Sequence, residues 1–460
     1  MDSSSGRDFS YREINFGKSS LLNAQKNWFN ILMTKIAFFY SFTPSNWISC
    51  QKIVANLLQS YKMIQGQEHK YCHFNNDTSI SSVIKQIKEI KEWGAEKIVF
   101  LDHFPHPSNV LINLQNEYEF ETNKPSLYVH VYGDFSLNYK TWSNCQFLSK
   151  WKVHWICASD RQVDYLKQLV IDQNSVSLCP FPVNETEFFF DKNLRNLQRK
   201  AWNRTEEDKI LIYTGRLSQQ KKIHTLIKFF SIQKQRNPHL HLYLYGEFDD
   251  LGDPFAGKWS KDGQYFSKIL RLLKTLPMET QDSIHWMGGV PNKELKNAYN
   301  GADLLISLSV HHDEDYGMSI AEGLSCGLPA LLTDWGGFSS FARHEIKEWV
   351  KLIKVSLGVK GRKISLKELS NLGELLIDTM DFAPKTKIST TSLTYFSLES
   401  CASKLKKIHE FPIRSFDGFT LLFHEVVDAQ NFSPIPFIDI RKNKITQLYS
   451  KVYGPYVRKN

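Results

Sequence analysis

The sequence has few cysteines and lacks a long hydrophobic run. Its seven cysteines are scattered, and no two form a Cys-x-x-Cys pair, which favours reduced thiols in a cytosolic protein. The most apolar early stretch, Phe29 to Phe42, contains Lys35 and is shorter than the roughly 20 residues that a spanning helix needs. The amino terminus is polar and has no secretory pattern. We therefore expect a cytoplasmic protein without a transmembrane helix, with peripheral contact on the inner face of the membrane left open.

The chain also lacks a strong charge of one sign. Its 57 basic residues and 48 acidic residues leave a net charge of +9. This modest excess suits an anionic substrate or a membrane surface. No Arg/Lys-rich tract with interleaved aromatic residues is present, so we do not expect a nucleic-acid-binding protein.

The composition is that of a globular protein of more than one domain. Of the 460 residues, 42% are hydrophobic and 23% are charged, which argues against disorder or a coiled coil. Domains usually contain about 100–200 residues, so two or three are expected.

Predicted strands and helices alternate along the chain. In the first half, strands are predicted at Lys35–Phe42, Lys97–Leu101, Ser126–Val131 and Val153–Ala158. In the second half they are predicted at Lys209–Tyr213, His239–Tyr245, Ile284–Met287, Ala302–Leu308 and Leu328–Leu332. This alternation is typical of doubly wound parallel sheets. The polar segment from Asn193 to Asp208 is predicted to be a connector, so we expect two Rossmann-like α/β domains that face each other across a cleft.

A cationic loop follows the first predicted strand of the second half. Arg216 and Lys221 lie between the strand KILIY and a predicted helix, at the carboxyl end where ligands of such sheets bind. Two cations there could hold a diphosphate. The alternative is that both are solvated surface charges.

Two glutamates with seven residues between them form a second motif. Glu314 follows the strand ADLLISL, and Glu322 lies in a helix predicted to start near Met318. Gly317 permits an unusual turn before that helix, and the free N–H groups of its first turn form an anion site. Glu322 could accept hydrogen bonds from a ribose diol. Alternatively, it is a carboxylate that interacts with the helix dipole.

Together with a third piece, these motifs resemble a known family. The third piece contains Gly327-Leu328-Pro329 and then Gly336-Gly337. In this order and spacing, the region from about residue 209 to 337 resembles the nucleotide-binding domain of family 4 glycosyltransferases, which are retaining enzymes of the GT-B fold. Lys222 departs from the family pattern, which commonly has a glycine at that position.

The resemblance implies a role for each matching residue. Arg216 and Lys221 would bind the donor diphosphate, Glu322 the ribose hydroxyls and Glu314 the donor sugar. The remaining donor-binding positions would be Gly215, Gly289, Val290, Gly317, Met318 and Ser319. His130 is the candidate for the family's catalytic histidine in the first domain. His103 and His106 compete with it, and a lone strand histidine is also typical of a core.

The resemblance also divides the chain. Residues 1–195 would form the acceptor-side domain and residues 205–395 the nucleotide-sugar domain. Residues 396–410 would form a helix that returns to the first domain. Residues 411–460 would be an extension that packs on the first domain, because FTLLFHEVV and IPFIDI are apolar enough to pack. Its basic final stretch could also touch an anionic membrane.

The implied activity is retaining transfer of a sugar from a nucleotide-diphosphate donor to a hydroxyl acceptor. The acceptor would be a glycan or lipid-linked glycan of a bacterial cell-surface polysaccharide, and no metal or other cofactor would be required. Asp313-Glu314-Asp315 beside His311-His312 keeps a divalent-cation site as an alternative. A nucleotide-sugar epimerase and a non-catalytic nucleotide-sugar-binding subunit are the two alternative functions.

Overall fold

The computed structural model describes residues 33–457, except for 42–47, 76, 102–106, 134, 136–138, 251–262, 312–313, 360, 381–382, 434, 436, 440 and 443. Two six-stranded parallel sheets with helices on both faces form its framework. Each half of the chain supplies one sheet, as the strand–helix alternation predicts. Within the described part of the chain, no helix combines the length and the apolar character needed to cross a membrane.

The first sheet has the strand order β2-β1-β3-β4-β5-β6. Its strands are β1 (Thr34–Ser41), β2 (Gln67–Phe74), β3 (Lys97–Phe100), β4 (Ser126–Val131), β5 (Val153–Cys157) and β6 (Val176–Leu178). Four consecutive residues in the middle of β1 are fully buried, because helices cover both faces of a parallel sheet. The sequence pattern missed β2, QEHKYCHF, since this edge strand has mostly polar, partly exposed side chains.

Five helices accompany the first sheet. They are α1 (Ile48–Lys62), α2 (Ile80–Trp93), α3 (Pro107–Glu117), α4 (Tyr139–Ser143) and α5 (Asp160–Lys167). Local signals set their ends: the Ser159 side chain caps the start of α5 by accepting from Gln162 N, and α2 ends at Gly94 with φ 77°, where glycine carries no steric cost.

The second sheet has the order β12-β11-β10-β7-β8-β9. Its strands are β7 (Lys209–Thr214), β8 (Leu240–Tyr245), β9 (Ile284–Gly288), β10 (Leu304–Ser307), β11 (Ala330–Thr333) and β12 (Val350–Ile353). The hairpin of β13 (Val355–Gly358) and β14 (Gly361–Ile364) follows. The helices that accompany the second sheet are α7 (Ile223–Arg236), α8 (Gln264–Leu273), α9 (Met278–Asp282), α10 (Asn292–Gly301), α11 (Met318–Ser325), α12 (Phe338–Phe341) and α13 (Leu366–Thr379).

The predicted connector between the halves contains a helix, α6 (Lys192–Ala201). The segment thus joins the two sheets through a helix, which the sequence pattern did not predict. Its polar residues have buried partners: Arg199 Nη1 lies 3.0 Å from Asp303 Oδ2, and Arg195 Nη2 lies 2.8 Å from Asp303 Oδ1. A pattern of hydrophobicity cannot reveal a helix that is anchored by ion pairs.

The end of the chain contacts both halves. After α14 (Lys385–Phe396) and α15 (Leu398–Glu410), which packs against α1, come α16 (Leu421–Phe432), β15 (Ile438–Asp439), β16 (Lys444–Ile445), α17 (Gln447–Tyr453) and a 3-10 turn at Gly454–Tyr456. Phe419 pairs with Val170 of the first half through a β-bridge. Tyr456, however, accepts a hydrogen bond from Gly336 N of the second half at 3.1 Å. The extension thus reaches both halves, whereas the sequence analysis predicted packing on the first alone.

Candidate functional site

The cationic loop lies at the carboxyl edge of the second sheet. Gly215 has φ 136° directly after β7, and its carbonyl oxygen would lie 2.0 Å from a Cβ added at Gly246. Only glycine therefore lets the loops after β7 and β8 approach so closely. Arg216 forms an ion pair with Asp249, which follows β8. The guanidinium is thus held in place by a carboxylate from the neighbouring loop.

Lys221 and Glu314 form the second ion pair of the site. Lys221 Nζ lies 2.5 Å from Glu314 Oε2, and both side chains are largely buried. Glu314 follows β10, the neighbour of β7 in the sheet, so two separate sequence motifs meet here. Gly337 N donates to the Glu314 carbonyl at 2.8 Å. A Cβ at Gly336 would lie 2.3 Å from that carbonyl oxygen, which requires glycine beside the glutamate.

Glu322 forms the third ion pair of the site, and its partner belongs to the first half. Helix α11 begins at Met318 after Gly317, which has φ 108°, and it buries the Glu322 carboxylate. Lys52 Nζ on α1 of the first half lies 3.3 Å from Glu322 Oε1 and 3.2 Å from Glu187 Oε2. Burial raises the pKa of Glu322, and the nearby Lys52 opposes that rise.

The other predicted donor positions lie along the same edge. Gly289 and Val290 follow β9, and Gly289 N donates to Glu247 Oε1 at 2.7 Å. Met318 and Ser319 form the first turn of α11. The loops at this edge follow the order of the strands in the sheet. Since β9 is the edge strand beyond β8 and β7, Gly289 and Val290 lie at one end of this row of loops, and Glu314 lies toward the middle.

The loop after β10 is also bound to the first half. Gly133 N donates to Asp315 Oδ2 at 2.7 Å, and the Tyr316 hydroxyl donates to the Phe181 carbonyl at 3.0 Å. Gly133 follows β4, so the carboxyl edge of the first sheet touches the segment that carries Glu314. The position of Glu314 therefore depends on both halves.

The structure buries His130 in the first half. Its Nε2 lies 3.1 Å from the Tyr61 hydroxyl, which also lies 3.1 Å from His409 Nε2. Burial lowers the pKa of His130 to about 3, so the ring is neutral at ordinary pH. With 1% of its surface exposed, His130 is a core residue here, and we remove it from the candidate site. His103 and His106 lie outside the described residues.

The alternative divalent-cation site includes two residues that the structure does not describe. Asp313 and His312 are not described, while His311 and Glu314 are buried. Among the residues that are described, no group of three or more His, Cys, Asp or Glu side chains could hold a metal ion. Glu314 instead has Lys221 as its partner.

Sequence reasoning missed several residues that complete the site. These are Lys52, Asp249, Asp315 and Tyr456. A lysine such as Lys52 in a polar helical pattern normally indicates a solvated face. The sequence analysis considered Asp315 only as part of a possible metal site. Asp249 and Asp315 follow strands of the second sheet itself, whereas only the packing of the chain brings Lys52 and the carbonyl of Tyr456 to that edge.

The family comparison covers the part of the chain that carries Arg216, Lys221, Glu314 and Glu322. Residues 195–352 match the family model "Glycosyl transferases group 1". Mannosylfructose-phosphate synthase of Agrobacterium fabrum is 29% identical over 145 residues, 30% of this chain and 29% of that protein. Lipopolysaccharide 1,2-N-acetylglucosaminetransferase of Salmonella typhimurium is 27% identical over 152 residues, 33% of this chain and 37% of that protein. The chain thus spans about a third of the length of these curated relatives.

Solved structures match over a larger part of the chain. HepE of Anabaena, determined with UDP and glucose, has a TM-score of 0.59 and 12% identity, and the match covers 82% of this chain and 100% of that one. Sucrose-phosphate synthase of Thermosynechococcus elongatus has a TM-score of 0.56 and 14% identity over 82% and 98% of the two chains. The fold is GT-B. At this identity the likeness concerns the fold alone, and the two six-stranded sheets are its two Rossmann-like halves.

Proposed function

We propose that this protein is a retaining, metal-independent glycosyltransferase that uses a nucleotide-diphosphate sugar. One observation carries the proposal: Arg216, Lys221, Glu314 and Glu322 converge at the carboxyl edge of the second sheet, facing the first half. All four lie within the matched region 195–352. Such an edge, at a crevice between sheets, is where doubly wound folds bind ligands.

The two loop cations would bind the diphosphate. Each is neutralised by one carboxylate, Arg216 by Asp249 and Lys221 by Glu314. A diphosphate offers more negative charge and more acceptor oxygens than one carboxylate does, so it can replace these partners. The first turn of α11, Met318 and Ser319, would add backbone N–H groups. These fixed donors would stabilise the charge that develops on the leaving phosphate, which removes the need for a metal ion.

When the diphosphate replaces Glu314 as the partner of Lys221, the Glu314 carboxylate would become available to bind the donor sugar. Glu322 would bind the ribose hydroxyls once Lys52 has moved from its carboxylate. Lys52 belongs to the first half, so donor binding and the relative position of the halves would be coupled. Closure of such a cleft excludes water and limits hydrolysis of the donor.

The proposed reaction exchanges one bond at the anomeric carbon. The bond from that carbon to the diphosphate oxygen breaks, and the acceptor hydroxyl oxygen forms a bond on the same face. The acceptor proton passes to the departing phosphate oxygen. His130 takes no part, because it is buried and has a Tyr61 partner.

The acceptor would be a glycan or a lipid-linked glycan of a bacterial cell surface. The name of the Salmonella relative, a lipopolysaccharide glycosyltransferase, supports this class. Peripheral membrane contact through the basic end of the chain is part of the proposal, since Lys442 and Lys444 are exposed there.

A screen of nucleotide sugars by thermal shift tests the proposal. A ligand present at a hundredfold its Kd stabilises a protein by about 2.7 kcal/mol, so one nucleotide-diphosphate sugar should raise Tm clearly. The acceptor reaction is then run with excess chelator, and the anomeric configuration of the product is read by NMR. We expect turnover with retention.

Three results would contradict parts of this assignment. Full loss of activity with chelator, restored by magnesium, would require a metal site. An inverted product would exclude retention. Conversion of the donor alone into its epimer would make the protein an epimerase.

A further inference from the structure

A second cationic site lies at the seam between the halves. A cavity of about 490 Å³ opens between Arg161 of α5 and the segment after β11. Four cations, Arg161, Arg343, Lys347 and Lys351, line it, and its described lining contains no acidic residue. The other walls are small or apolar. The volume falls within the range of small-molecule sites, about 300–1,000 Å³.

The two arginines are fixed in place. Arg161 Nε donates to Ser339 Oγ at 3.3 Å, and its guanidinium lies 3.9 Å from Asp334 Oδ1. Arg343 Nη1 lies 3.0 Å from Asp160 Oδ1. Each of these contacts joins one half of the molecule to the other. The arginines are therefore oriented before any ligand arrives.

The two lysines leave the cavity with an excess of positive charge. Within the described residues, no acidic side chain forms an ion pair with Lys347 or Lys351. The two arginines have two carboxylate partners, so the lysines account for the surplus. Arginine forks and lysine ammonium groups together are the usual protein partners of phosphate and carboxylate groups.

The cavity is distinct from the diphosphate loop but close to Glu314. It lies on the β11–β12 side of the second sheet, whereas Arg216 and Lys221 follow β7 on the other side of β10. Its wall at Ser339 begins two residues after Gly337, whose N–H donates to the Glu314 carbonyl at 2.8 Å. An anion held there would thus lie beside the donor-sugar position, toward the first half.

We propose that this cavity binds an anionic group, a phosphate ester or a carboxylate, of the acceptor. The proposal rests on the proposed glycosyltransferase function, because it assigns the substrate class of the same cleft. The arginines orient the anion, and the two lysines supply the charge that it neutralises. The acceptor hydroxyl is then presented to the sugar from the side of the first half.

Calorimetric titration of the intact protein with inorganic phosphate tests the cavity directly. The titration is done with saturating UDP, so that the diphosphate loop is occupied. The test variant is Lys347→Ala/Lys351→Ala, and the matched control is Lys363→Ala/Lys367→Ala, which removes two exposed lysines from the same half. We expect phosphate affinity to fall at least tenfold in the test variant and to stay within twofold in the control. Equal affinity in all three proteins would overturn the proposal.

Two further titrations distinguish a soluble anion from a lipid headgroup. The outcomes also distinguish the cavity proposal from the donor-site proposal. Glucose 6-phosphate represents a soluble acceptor, and phosphatidylcholine vesicles with phosphatidylglycerol represent a lipid headgroup. Lysine-dependent binding of either supports the cavity and identifies the source, and binding of neither overturns it. If UDP, GDP and ADP all fail to bind, the donor site is wrong. The variant Arg216→Ala then shows whether phosphate binding depends on the diphosphate loop. Phosphate binding that depends on Lys347 and Lys351 would support the cavity proposal even if the donor-site proposal is wrong.

Discussion

The two sheets have similar topology but carry different chemistry at their carboxyl edges. The edge of the second sheet presents ion pairs, Arg216–Asp249 and Lys221–Glu314. The described edge of the first contributes mainly backbone and neutral groups, such as Gly133 N and the Phe181 carbonyl. The comparison indicates that the second half carries the charges and that the first holds them in position.

Three charged side chains of the first half depart from this division. Lys52 reaches the buried Glu322, Arg161 reaches the seam cavity, and Asp160 forms an ion pair with Arg343. Lys52 also lies 3.2 Å from Glu187 of its own half. All three side chains contact groups of the second half, which makes the contact between the halves the feature to perturb.

The largest effect is expected from removal of the segment that touches both halves. Among the described residues, truncation after Glu410 removes eight buried hydrophobic side chains: Phe416, Phe423, Val426, Phe437, Tyr449, Val452, Tyr453 and Tyr456. Each contributes about 1.5–3 kcal/mol by burial, before the entropy of ordering is subtracted, whereas whole proteins are stable by only about 5–15 kcal/mol. The shortened chain should be insoluble or should melt far below the full chain, as measured by circular dichroism.

Truncation after Val457 is the control, because it leaves the buried tyrosines in place. It should melt like the full chain. A protein ending at Glu410 with unchanged Tm and full activity would show that the second half does not need this contact.

The next largest effect concerns the ion pair between the halves. Lys52→Met leaves Glu322 buried without its cation, and loss of one partner of a buried pair costs about 3–5 kcal/mol. Lys62→Met, an exposed lysine on the same helix, is the control and should cost little. Urea unfolding measures both. Equal stability of the two variants would mean that Lys52 is not a structural partner of Glu322.

The same variant has a defined pH dependence. The folded-state pKa of Glu322 is raised by burial from its ordinary value of 4.5, so ionisation of this group weakens the folded state as pH rises through that pKa. Without Lys52 the pKa should rise further. The stability deficit of Lys52→Met should therefore shrink as pH falls toward 4.5, and a deficit independent of pH would exclude an unpaired carboxylate as its cause.

Loss of a loop cation should have a smaller effect, confined to ligand binding. Arg216→Ala and Lys221→Ala should each weaken nucleoside-diphosphate binding by about ten- to a hundredfold, because charge-assisted hydrogen bonds contribute about 1.5–3 kcal/mol. Arg236→Ala, at the far end of α7 with an exposed Glu374 partner, is the control. Calorimetry with UDP gives the affinities. Wild-type affinity in both test variants would remove the loop from the site.

The effect that is smallest at neutral pH concerns His130, a buried residue of the first sheet. Burial lowers the pKa of His130 to about 3, whereas the unfolded chain binds this proton near the ordinary value of 6.5. His130 thus contributes stability that is present above pH 6.5 and is lost as pH falls toward 3, by at most about 1.4 kcal/mol per pH unit.

His130→Gln should therefore lose stability less steeply in acid than the wild type does. The exposed His424→Gln is the control. Urea titrations at several pH values give the slopes. Identical slopes for wild type and His130→Gln would mean that His130 is protonated in the folded protein and so accessible.

Much of the fold could be predicted from hydrophobic pattern and glycine position. Runs such as KILIY and SLYVHV are buried on both faces, so their composition indicates parallel strands. The start of α11 at Met318 followed from Gly317. The edge strand β2 was missed because its polar side chains are partly exposed, and α6 was missed because its polar side chains form ion pairs in the interior. Both segments have the sequence pattern of a surface loop.

The candidate site was predictable only within the second half. Spacing predicted Arg216 and Lys221 after β7, Glu314 after β10 and Glu322 in α11. Strands β7 and β10 are neighbours in one sheet. The ion-pair partners Asp249 and Lys52 come from other segments, and a linear pattern does not encode which loops meet. The burial of His130 was not predictable for a related reason: a strand residue faces either a cleft or a core, and only packing decides between them.

The contact between Tyr456 and Gly336 also determines when the candidate site is completed during synthesis of the chain. The second sheet is complete in sequence once Ile353 has emerged from the ribosome, yet the carbonyl that accepts from Gly336 N belongs to a residue made much later. Amino-terminal domains generally fold first. A nascent chain would thus hold both folded sheets while the loop beside Glu314 still lacked its last support, so the site would be completed only after Tyr456 has emerged.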